Sequence, residues 1–591
     1  MNLKEEEQPI YLRIYHFIFP FKRKEKIKRS HFLERFLQNK HAVVGLFLFA
    51  LLFGMTLILP EIYPIDVSKQ EITQQNISPG RNMLSVPKAL QCNVSQISVG
   101  STFSVGVTSD GRLYQWGKRS EALKKIPKEL HHVLNVCAGQ NHILAINQDG
   151  KLIAWGLNRF GQADIPIELR ELKNFRQIYA GYQYSIAISE FGEVYFWGNK
   201  NLVDYDDQNA HTNFIHVTGN ANAILGLKED GTVSYLGKKE SSYRKIPKFR
   251  AKVVLLEMTS KEAFAVDAKG NVYRWGCDEK ESILSKEELK TLRLRTLVAG
   301  RNHIVGITVR GNVVAFGDNT FHQCQIPKKV RKSEITQIFC GYNQNYAITK
   351  ENKIIAWGLK GYVLGTDAYG RDLFVRLLHG GRITMMIGFV AVAIQTVIGV
   401  CIGTISGYFG GLVDDLLMRF TEVVNALPFL PFAMILSALI GEHLTQMQRI
   451  LMIMIILGVL NWTGVARLVR AQVLAQKSCE YVTAAKAIGA TRMQIVFSHI
   501  LPNVIGYVIV SATGSFASAM LTESSLSFLG FGVIEPQPTW GNMLTDGKSM
   551  IVISMYWWRW LFPALALCLV TVSINFIGDG FKDVMEPKEN T

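Results

Sequence analysis

Closely spaced pairs of cysteines are absent from this sequence. Its eight cysteines are scattered over 591 residues and none forms a C-x-x-C motif, which argues against zinc ribbons and dithiol redox sites. No cysteine has metal-ligand spacing, so we predict no bound metal. Five cysteines lie in the middle of the chain, namely Cys92, Cys137, Cys277, Cys324 and Cys340. Buried small side chains are the expectation for them, with one or two disulfides left open.

The chain also lacks a G-x-x-x-x-G-K-[ST] phosphate loop, so we expect it to bind no ATP and no other cofactor itself. We find no convergent set of acid, base or nucleophile and predict no enzyme activity. Acidic residues are in deficit, with 48 Asp and Glu against 64 Lys and Arg. In a chain with long apolar runs, an excess of basic residues is typical of cytoplasmic anchoring charge. We therefore predict contact with membrane lipid and no nucleic-acid partner.

Apolar runs of membrane length occur near the N-terminus and in the last third of the chain. The first, 42–59, is just long enough to cross a bilayer core. A cleaved signal peptide is the alternative, but the run is too long for one and no small-x-small site follows it. We therefore predict six transmembrane helices, with the first over 42–60. The other five runs are 383–405, 423–440, 450–465, 504–521 and 558–577.

Positive charge is unevenly distributed around these runs. Residues 1–41 carry ten Lys and Arg against five acids, whereas residues 466–503 carry five against one. The positive-inside rule predicts that segment 1–41, the 466–503 loop and the C-terminus are cytoplasmic. With six spans, the 409–422 loop is also inside, and the long stretch 61–381 is outside.

That long stretch repeats itself with a period of about 40 residues. Its seven units are variants of one pattern, such as SDGRLYQWG, AKGNVYRWG and KENKIIAWG. The DG-type turn in the pattern favours a two-residue hairpin, so each unit is predicted to be a small antiparallel sheet. One strand position, to which we assign a structural role, holds Trp116, Trp155, Trp197, Trp275 and Trp357, with Leu236 and Phe316 in the other two units.

Seven such units predict a closed seven-bladed β-propeller over residues 85–360, because radial repetition protects the sheet edges. An open solenoid is the alternative, but no polar capping repeat is evident. The repeats resemble those of the RCC1-like (regulator of chromosome condensation) family, and this resemblance implies the fold without implying an activity. His142 and His303 share one repeat position, so a structural role is expected for both.

The strongest functional motif is EYVTAAKAIGATRMQIVFSHILPN, residues 480–503. It resembles the EAA loop of binding-protein-dependent ABC importer permeases, in which a helix, a glycine and a second helix dock onto the ATPase subunit. Ala484, Ala485, Gly489 and Pro502 match that motif, while Thr483 replaces the acidic residue of the family. The resemblance implies that these five residues couple the permease to ATP hydrolysis. An amphipathic loop without a partner is the alternative.

Flanking segments are similar to the C-type permease subunit of dipeptide and oligopeptide importers. They include FLERFLQNKHAVVGL near the N-terminus, YVLGTDAYGRDLF from Tyr362, and LTESSLSFLGFGVIEPQPTWGNMLTDG near the end. The resemblance covers 30–66 and 362–587 and implies a type I ABC importer fold, with a transmembrane domain over 382–580. It also implies a second permease subunit, two ATP-binding subunits that hydrolyse the ATP, and an extracellular solute-binding protein.

We therefore expect an α-helical multi-pass protein of a bacterial cell membrane that moves peptides and carries an all-β propeller in its first external loop. Import of nickel or another small solute is a close alternative. A propeller-bearing surface receptor, with the permease part as its anchor, is a second one. An extracellular enzyme on a membrane stalk is a third, which the lack of convergent catalytic residues disfavours.

Overall fold

The structure, a computed structural model, describes residues 34–585 except 64, 207–212, 239 and 442. The described chain forms two compact units. The helical unit comprises the described residues of 1–69 and 372–591, and the propeller unit comprises those of 70–371. The predicted cytoplasmic segment 1–41 lies largely outside the described residues.

The helical unit is built from long apolar helices and several short ones. The longer helices are α1 (Lys40–Ile62), α2 (Leu373–Phe409), α3 (Gly411–Ala426), α4 (Phe429–Gly441), α5 (Gln446–Leu460), α6 (Trp462–Lys477), α7 (Glu480–Ala487), α8 (Leu501–Leu529) and α9 (Trp558–Met585). Side chains cap the helices where the sequence provides them. Asn39, for example, accepts a hydrogen bond from the Ala42 N–H at the start of α1, and Asp372 caps α2 in the same way.

Five stretches of the described chain are long and apolar enough to span a membrane, and the bent pair α3–α4 brings the count to six if it is taken as one span. The predicted run 423–440 is not a straight helix. Its chain breaks after Ala426, restarts at Phe429 and turns by 78°. Pro428 lies in this break, where it cannot donate a hydrogen bond and restricts the residue before it.

One stretch that was predicted to be a loop, 409–422, is mostly helical, and the predicted 466–503 loop is helical beyond its expected helix–glycine–helix motif. Residues 409–422 lie mostly in α3, whose four charged side chains made the segment resemble a loop. Residues 466–503 contain the second half of α6, all of α7 and a short helical segment that leads into α8. The extra helices satisfy backbone groups that an irregular loop would leave for water.

Close backbone contacts hold α2 against α6. A Cβ added at Gly403 would lie 2.4 Å from the Ala466 carbonyl oxygen, and one at Gly399 would lie 2.6 Å from the Val465 Cβ. Both glycines therefore let the two helices approach more closely than any larger residue would allow, as small residues do in membrane helix pairs.

The propeller unit consists of seven three-stranded antiparallel sheets, each formed by consecutive strands. Their strands, in groups of three per blade, are β1–β3 (Val94–Val99, Phe103–Thr108, Leu113–Gly117), β4–β6 (Val133–Ala138, His142–Asn147, Leu152–Gly156), β7–β9 (Phe175–Ala180, Tyr184–Ser189, Val194–Gly198), β10–β12 (Phe214–Gly219, Ile224–Lys228, Val233–Tyr235), β13–β15 (Val253–Met258, Ala263–Asp267, Val272–Trp275), β16–β18 (Leu294–Ala299, His303–Thr308, Val313–Gly317) and β19–β21 (Ile335–Cys340, Gln344–Thr349, Ile354–Gly358). The seven-bladed prediction is confirmed, since each predicted repeat forms one sheet.

The ring closes between the first and last blades. Leu90, Val94 and Trp116 share a buried apolar cluster with Tyr346 and Ile348. This contact means that neither terminal blade leaves an open edge, which distinguishes a propeller from an open solenoid.

The segments that enter and leave the propeller pair with each other. The Glu71 N–H donates to the Tyr369 carbonyl over 2.9 Å, and the Asn76 N–H donates to the Asp367 carbonyl over 3.0 Å. The insertion therefore begins and ends at neighbouring points, so a host loop can accept it with little change in its own ends.

Candidate coupling loop and propeller core

Residues 480–503 form a knob on the helical unit. Helix α7 (Glu480–Ala487) runs into a turn at Ile488 and Gly489. Thr491 then caps the next helical segment by accepting a hydrogen bond from the Gln494 N–H. A π-helical stretch, Ile495–Ile500, joins this segment to α8. The predicted helix–glycine–helix arrangement is thus present, with its second helix continuous with a long apolar helix.

Gly489 reverses the chain at the tip of the knob. Its φ is +85°, in the left-handed region, where a residue with a side chain is strained. The Ile488 N–H donates to the Ala484 carbonyl and the Ala490 N–H to the Ala485 carbonyl, which satisfies the last carbonyls of α7. A Cβ at Gly489 would meet no atom within 4 Å, so the position requires glycine for its backbone and not for space.

The tip presents large apolar side chains to solvent. Ile488 is 85% exposed, Met493 64% and Phe497 61%. Three such exposed side chains lie within one short segment, and grouped exposed apolar side chains are a mark of contact sites. Sequence reasoning missed these residues, although Ile488 stands directly before the predicted glycine.

The other side of the knob is buried. Val482, Ala485 and Ile495 share one apolar cluster with Val469 on α6 and Tyr408 on α2. Because protein interiors are close-packed, displacement of the knob would push on both of these helices. The predicted coupling residues therefore divide by position. Ala485 lies in this buried cluster, whereas Thr483, Ala484, Gly489 and Pro502 are exposed.

Polar contacts fix the helices beside the knob. Arg470 on α6 donates two hydrogen bonds to the Asp414 carboxylate on α3, each 2.6 Å long. Lys477, at the end of α6, donates to the Tyr408 carbonyl on α2 over 2.6 Å. These bonds connect α6 to its two neighbours at the level where the knob packs.

The repeat tryptophans lie in the propeller core, each at most 7% exposed. Their indole N–H groups bond to fixed acceptors within the propeller. Trp197 donates to the Gln162 carbonyl, Trp275 to the Tyr243 carbonyl and Trp357 to the Gln323 carbonyl, each over 3.0 Å. Trp116 donates to the Tyr346 hydroxyl over 2.9 Å, and Trp155 is buried in the cluster between the first two blades.

The two repeat histidines are also buried. His142 Nε2 lies 2.9 Å from the Ser185 hydroxyl, and His303 Nε2 lies 2.7 Å from the Asn345 side-chain oxygen. Burial lowers the pKa of His142 to about 4 and also lowers the pKa of His303, so both rings are neutral at pH 7. They link neighbouring blades.

All eight cysteines are free thiols. Within the residues that the structure describes, no group of three or more His, Cys, Asp or Glu side chains could hold a metal ion.

Comparison with known families places both parts of the chain. Residues 399–590 match the family described as binding-protein-dependent transport system inner membrane component. Residues 30–79 match the N-terminal transmembrane domain of oligopeptide transport permease C. The propeller matches the regulator of chromosome condensation (RCC1) repeat at 133–162 and 295–323.

Curated relatives give the same result for the helical unit. The chain is 44% identical over 232 residues to the oligopeptide transport system permease protein OppC of Haemophilus influenzae, covering 39% of this chain and 72% of the relative. It is 42% identical over 224 residues to the dipeptide transport system permease protein DppC of Bacillus subtilis, covering 38% and 68%. The class is that of multi-pass transport permeases. The chain belongs to the OppC/DppC family of peptide transport permeases, which confirms the resemblance seen in the sequence.

Solved structures are similar to each part separately. Human WBSCR16 covers 44% of this chain and 87% of its own, with 16% identity and a TM-score of 0.35. An amino acid ABC transporter covers 34% of this chain and 91% of its own, with 15% identity and a TM-score of 0.27.

Proposed function

We propose that this chain is the permease subunit of a bacterial peptide importer and that its 480–503 knob docks onto an ATP-binding subunit. The observation that carries the proposal is the knob itself, an exposed apolar tip at Ile488 and Met493 on a buried stem at Ala485. The free energy falls when a partner covers such a tip, because its apolar surface is removed from water. The relatives, which are oligopeptide and dipeptide permeases by name, support the peptide class of substrate.

In this proposal ATP is bound and hydrolysed by two partner subunits, because the chain has no phosphate loop. A second permease subunit completes the pathway, and an extracellular solute-binding protein delivers the peptide. Transport then proceeds by alternating access: closure of the ATP-binding subunits moves the knob, and the knob moves α6 and α2, against which it packs.

The proposed orientation puts both termini and the knob in the cytoplasm and the propeller outside. Contacts within the helical unit support it. Asn39, before α1, bonds to Asp583 near the end of α9, and the Met585 side chain lies against Gly506 at the start of α8. Arg382 near the start of α2 pairs with Glu61 at the end of α1, so the helix ends that flank the propeller insertion also meet.

Gly489→Val tests the coupling role in the assembled transporter. A β-branched residue strains a left-handed backbone and misshapes the tip. We expect uptake of a labelled tripeptide to fall at least tenfold while the protein remains in the membrane. Gly530→Val is the matched control, since Gly530 also has a positive φ (98°) and an added Cβ there would meet no atom within 4 Å, but it lies at the far end of α8.

Normal uptake by the Gly489→Val transporter would contradict the docking role. An equal loss in both glycine variants would contradict it as well, because the loss would then follow from backbone strain alone. Uptake of nickel ions in place of the tripeptide would favour the small-solute alternative.

A further inference from the structure

The propeller encloses a central cavity of about 370 Å³, which none of the foregoing functions uses. Its wall is formed by the first strand of every blade, and one repeat position of these strands faces inward. Six blades place an uncharged residue at this position, namely Ser98, Cys137, Tyr179, Thr218, Val298 and Phe339. The fifth blade places Glu257 there.

Glu257 faces the cavity without a partner. Among the described residues, no group donates a hydrogen bond to its carboxylate or forms an ion pair with it. The side chain is half-buried. Its surroundings nevertheless disfavour charge, and desolvation raises the pKa of Glu257 to about 8. An uncompensated carboxylate in such a place lowers stability, and the other six blades show that the fold does not need one.

The cationic side chain in the cavity wall, Arg301, is already neutralised. Arg301 lies 3.0 Å from the Glu71 carboxylate and stacks over the Tyr342 ring at 5.0 Å. The other titratable groups that face Glu257 are the thiols of Cys137 and Cys340 and the hydroxyl of Tyr179. Burial raises the pKa of the Cys137 thiol to about 11 and that of Cys340 well above its usual value. Both thiols are therefore uncharged at neutral pH, and neither competes with Glu257 for a cation.

We propose that the central cavity binds a small organic molecule through a primary ammonium group, which pairs with the Glu257 carboxylate. The cavity volume lies within the range of about 300–1,000 Å³ that is typical of small-molecule sites. A lone carboxylate is a poor site for a divalent metal ion, which requires several oxygen ligands. An organic cation suits it better, because its apolar body contacts Val298 and Phe339 while the Tyr179 and Phe339 rings favour the positive charge.

The test uses the full-length chain in lipid nanodiscs and alanyl-alanine amide as the probe. This small molecule carries one free ammonium group and no carboxylate. Isothermal titration should detect binding, and Glu257→Gln should weaken it at least tenfold, because the amide keeps the shape but cannot ionise to the carboxylate that pairs with the ammonium group. Glu190→Gln, which changes an exposed glutamate elsewhere on the propeller, should leave the affinity within twofold. N-acetyl-alanyl-alanine amide should bind at least tenfold more weakly than the free amine.

A second variant separates loss of the site from loss of the fold. Val298→Phe narrows the cavity with a residue type that the same repeat position already holds at Phe339, and it should also abolish binding. Absence of binding by the wild-type chain at 10 mM probe, equal affinity of the acetylated probe, or wild-type affinity in Glu257→Gln would each overturn the proposal. Binding in the cavity does not depend on the coupling role of the 480–503 knob.

Discussion

The Arg470 guanidinium and the Asp414 carboxylate form a two-bonded ion pair that joins α6 to α3. The Nε and one terminal nitrogen of Arg470 each lie 2.6 Å from a different oxygen of Asp414. The side chains are 34% and 13% exposed respectively, and Ser406 on α2 also donates to this carboxylate. One carboxylate thus connects three helices beside the knob.

Asp414→Ala should destabilise the helical unit by about 1–3 kcal/mol, because it leaves a partly buried guanidinium without its partner. A lower temperature of thermal unfolding in detergent would be the readout. Removing Glu422, whose partner Arg419 is 81% exposed, should change stability by less than about 0.5 kcal/mol. If both substitutions have the same effect, the Asp414 pair does not hold these helices together.

The Tyr346 hydroxyl links the last blade of the propeller to the first. It accepts from Trp116 Nε1 over 2.9 Å and lies 3.0 Å from the Ser104 hydroxyl. Tyr346→Phe leaves the buried indole N–H without an acceptor, so we expect a loss of about 1–3 kcal/mol. Hydrogen exchange should speed up in β1, β2 and β20. In the control Tyr195→Phe, which removes only a hydroxyl bonded to Glu193 near the surface, exchange should stay unchanged.

Excision of residues 70–371 and their replacement by a short Gly/Ser linker should leave a folded helical unit. The propeller has its own closed core, and its incoming and outgoing segments already pair at Glu71 and Tyr369. Membrane insertion and co-purification with the partner subunits are the measurements. Loss of insertion would show that the propeller is required for the permease fold. If the propeller captures substrate, half-maximal uptake should shift to higher peptide concentration while maximal flux changes little.

Glu257 should make the stability of the propeller depend on pH. Its folded-state pKa, about 8, is raised above the ordinary value of 4.5, so the folded state binds this proton more tightly than the unfolded state does. The stabilisation is complete below about pH 4.5 and is lost as the pH rises to about 8. Urea unfolding should therefore find Glu257→Gln more stable than wild type at pH 9, by about 1–3 kcal/mol. If the free energies of unfolding of Glu257→Gln and wild type differ by the same amount at pH 5 and at pH 9, this assignment is contradicted.

The propeller was predictable because one sequence pattern occurs in all seven of its repeats. Each repeat places a tryptophan or its substitute, a tight turn and a buried middle strand at fixed spacing, so no single loss, such as Leu236 for tryptophan, hides the pattern. Glu257 shows the limit of this reasoning. Its exceptional character appears only when the inner strands are aligned around a cavity, which the repeat pattern alone does not define.

The helical unit was less predictable in detail. The apolar run 423–440 contains no signal for the direction of the chain after its prolines, so the 78° bend between α3 and α4 was missed. The charges of α3, among them Asp414, made it resemble a loop, although they lie on a helix that contacts α6. The shape of the knob followed from Gly489, whereas the exposure of Ile488 depends on how the buried stem packs.

Photo-crosslinking from position 488 tests the central claim, that the knob docks onto an ATP-binding subunit, most directly. A benzoylphenylalanine in place of Ile488, which is 85% exposed, should form an adduct with an ATP-binding subunit when the assembled transporter is irradiated. The same group at Leu439, 72% exposed on α4, is the control and should form none with that subunit. An active transporter in which position 488 crosslinks to lipid or to other subunits, and never to an ATP-binding subunit, would contradict the account.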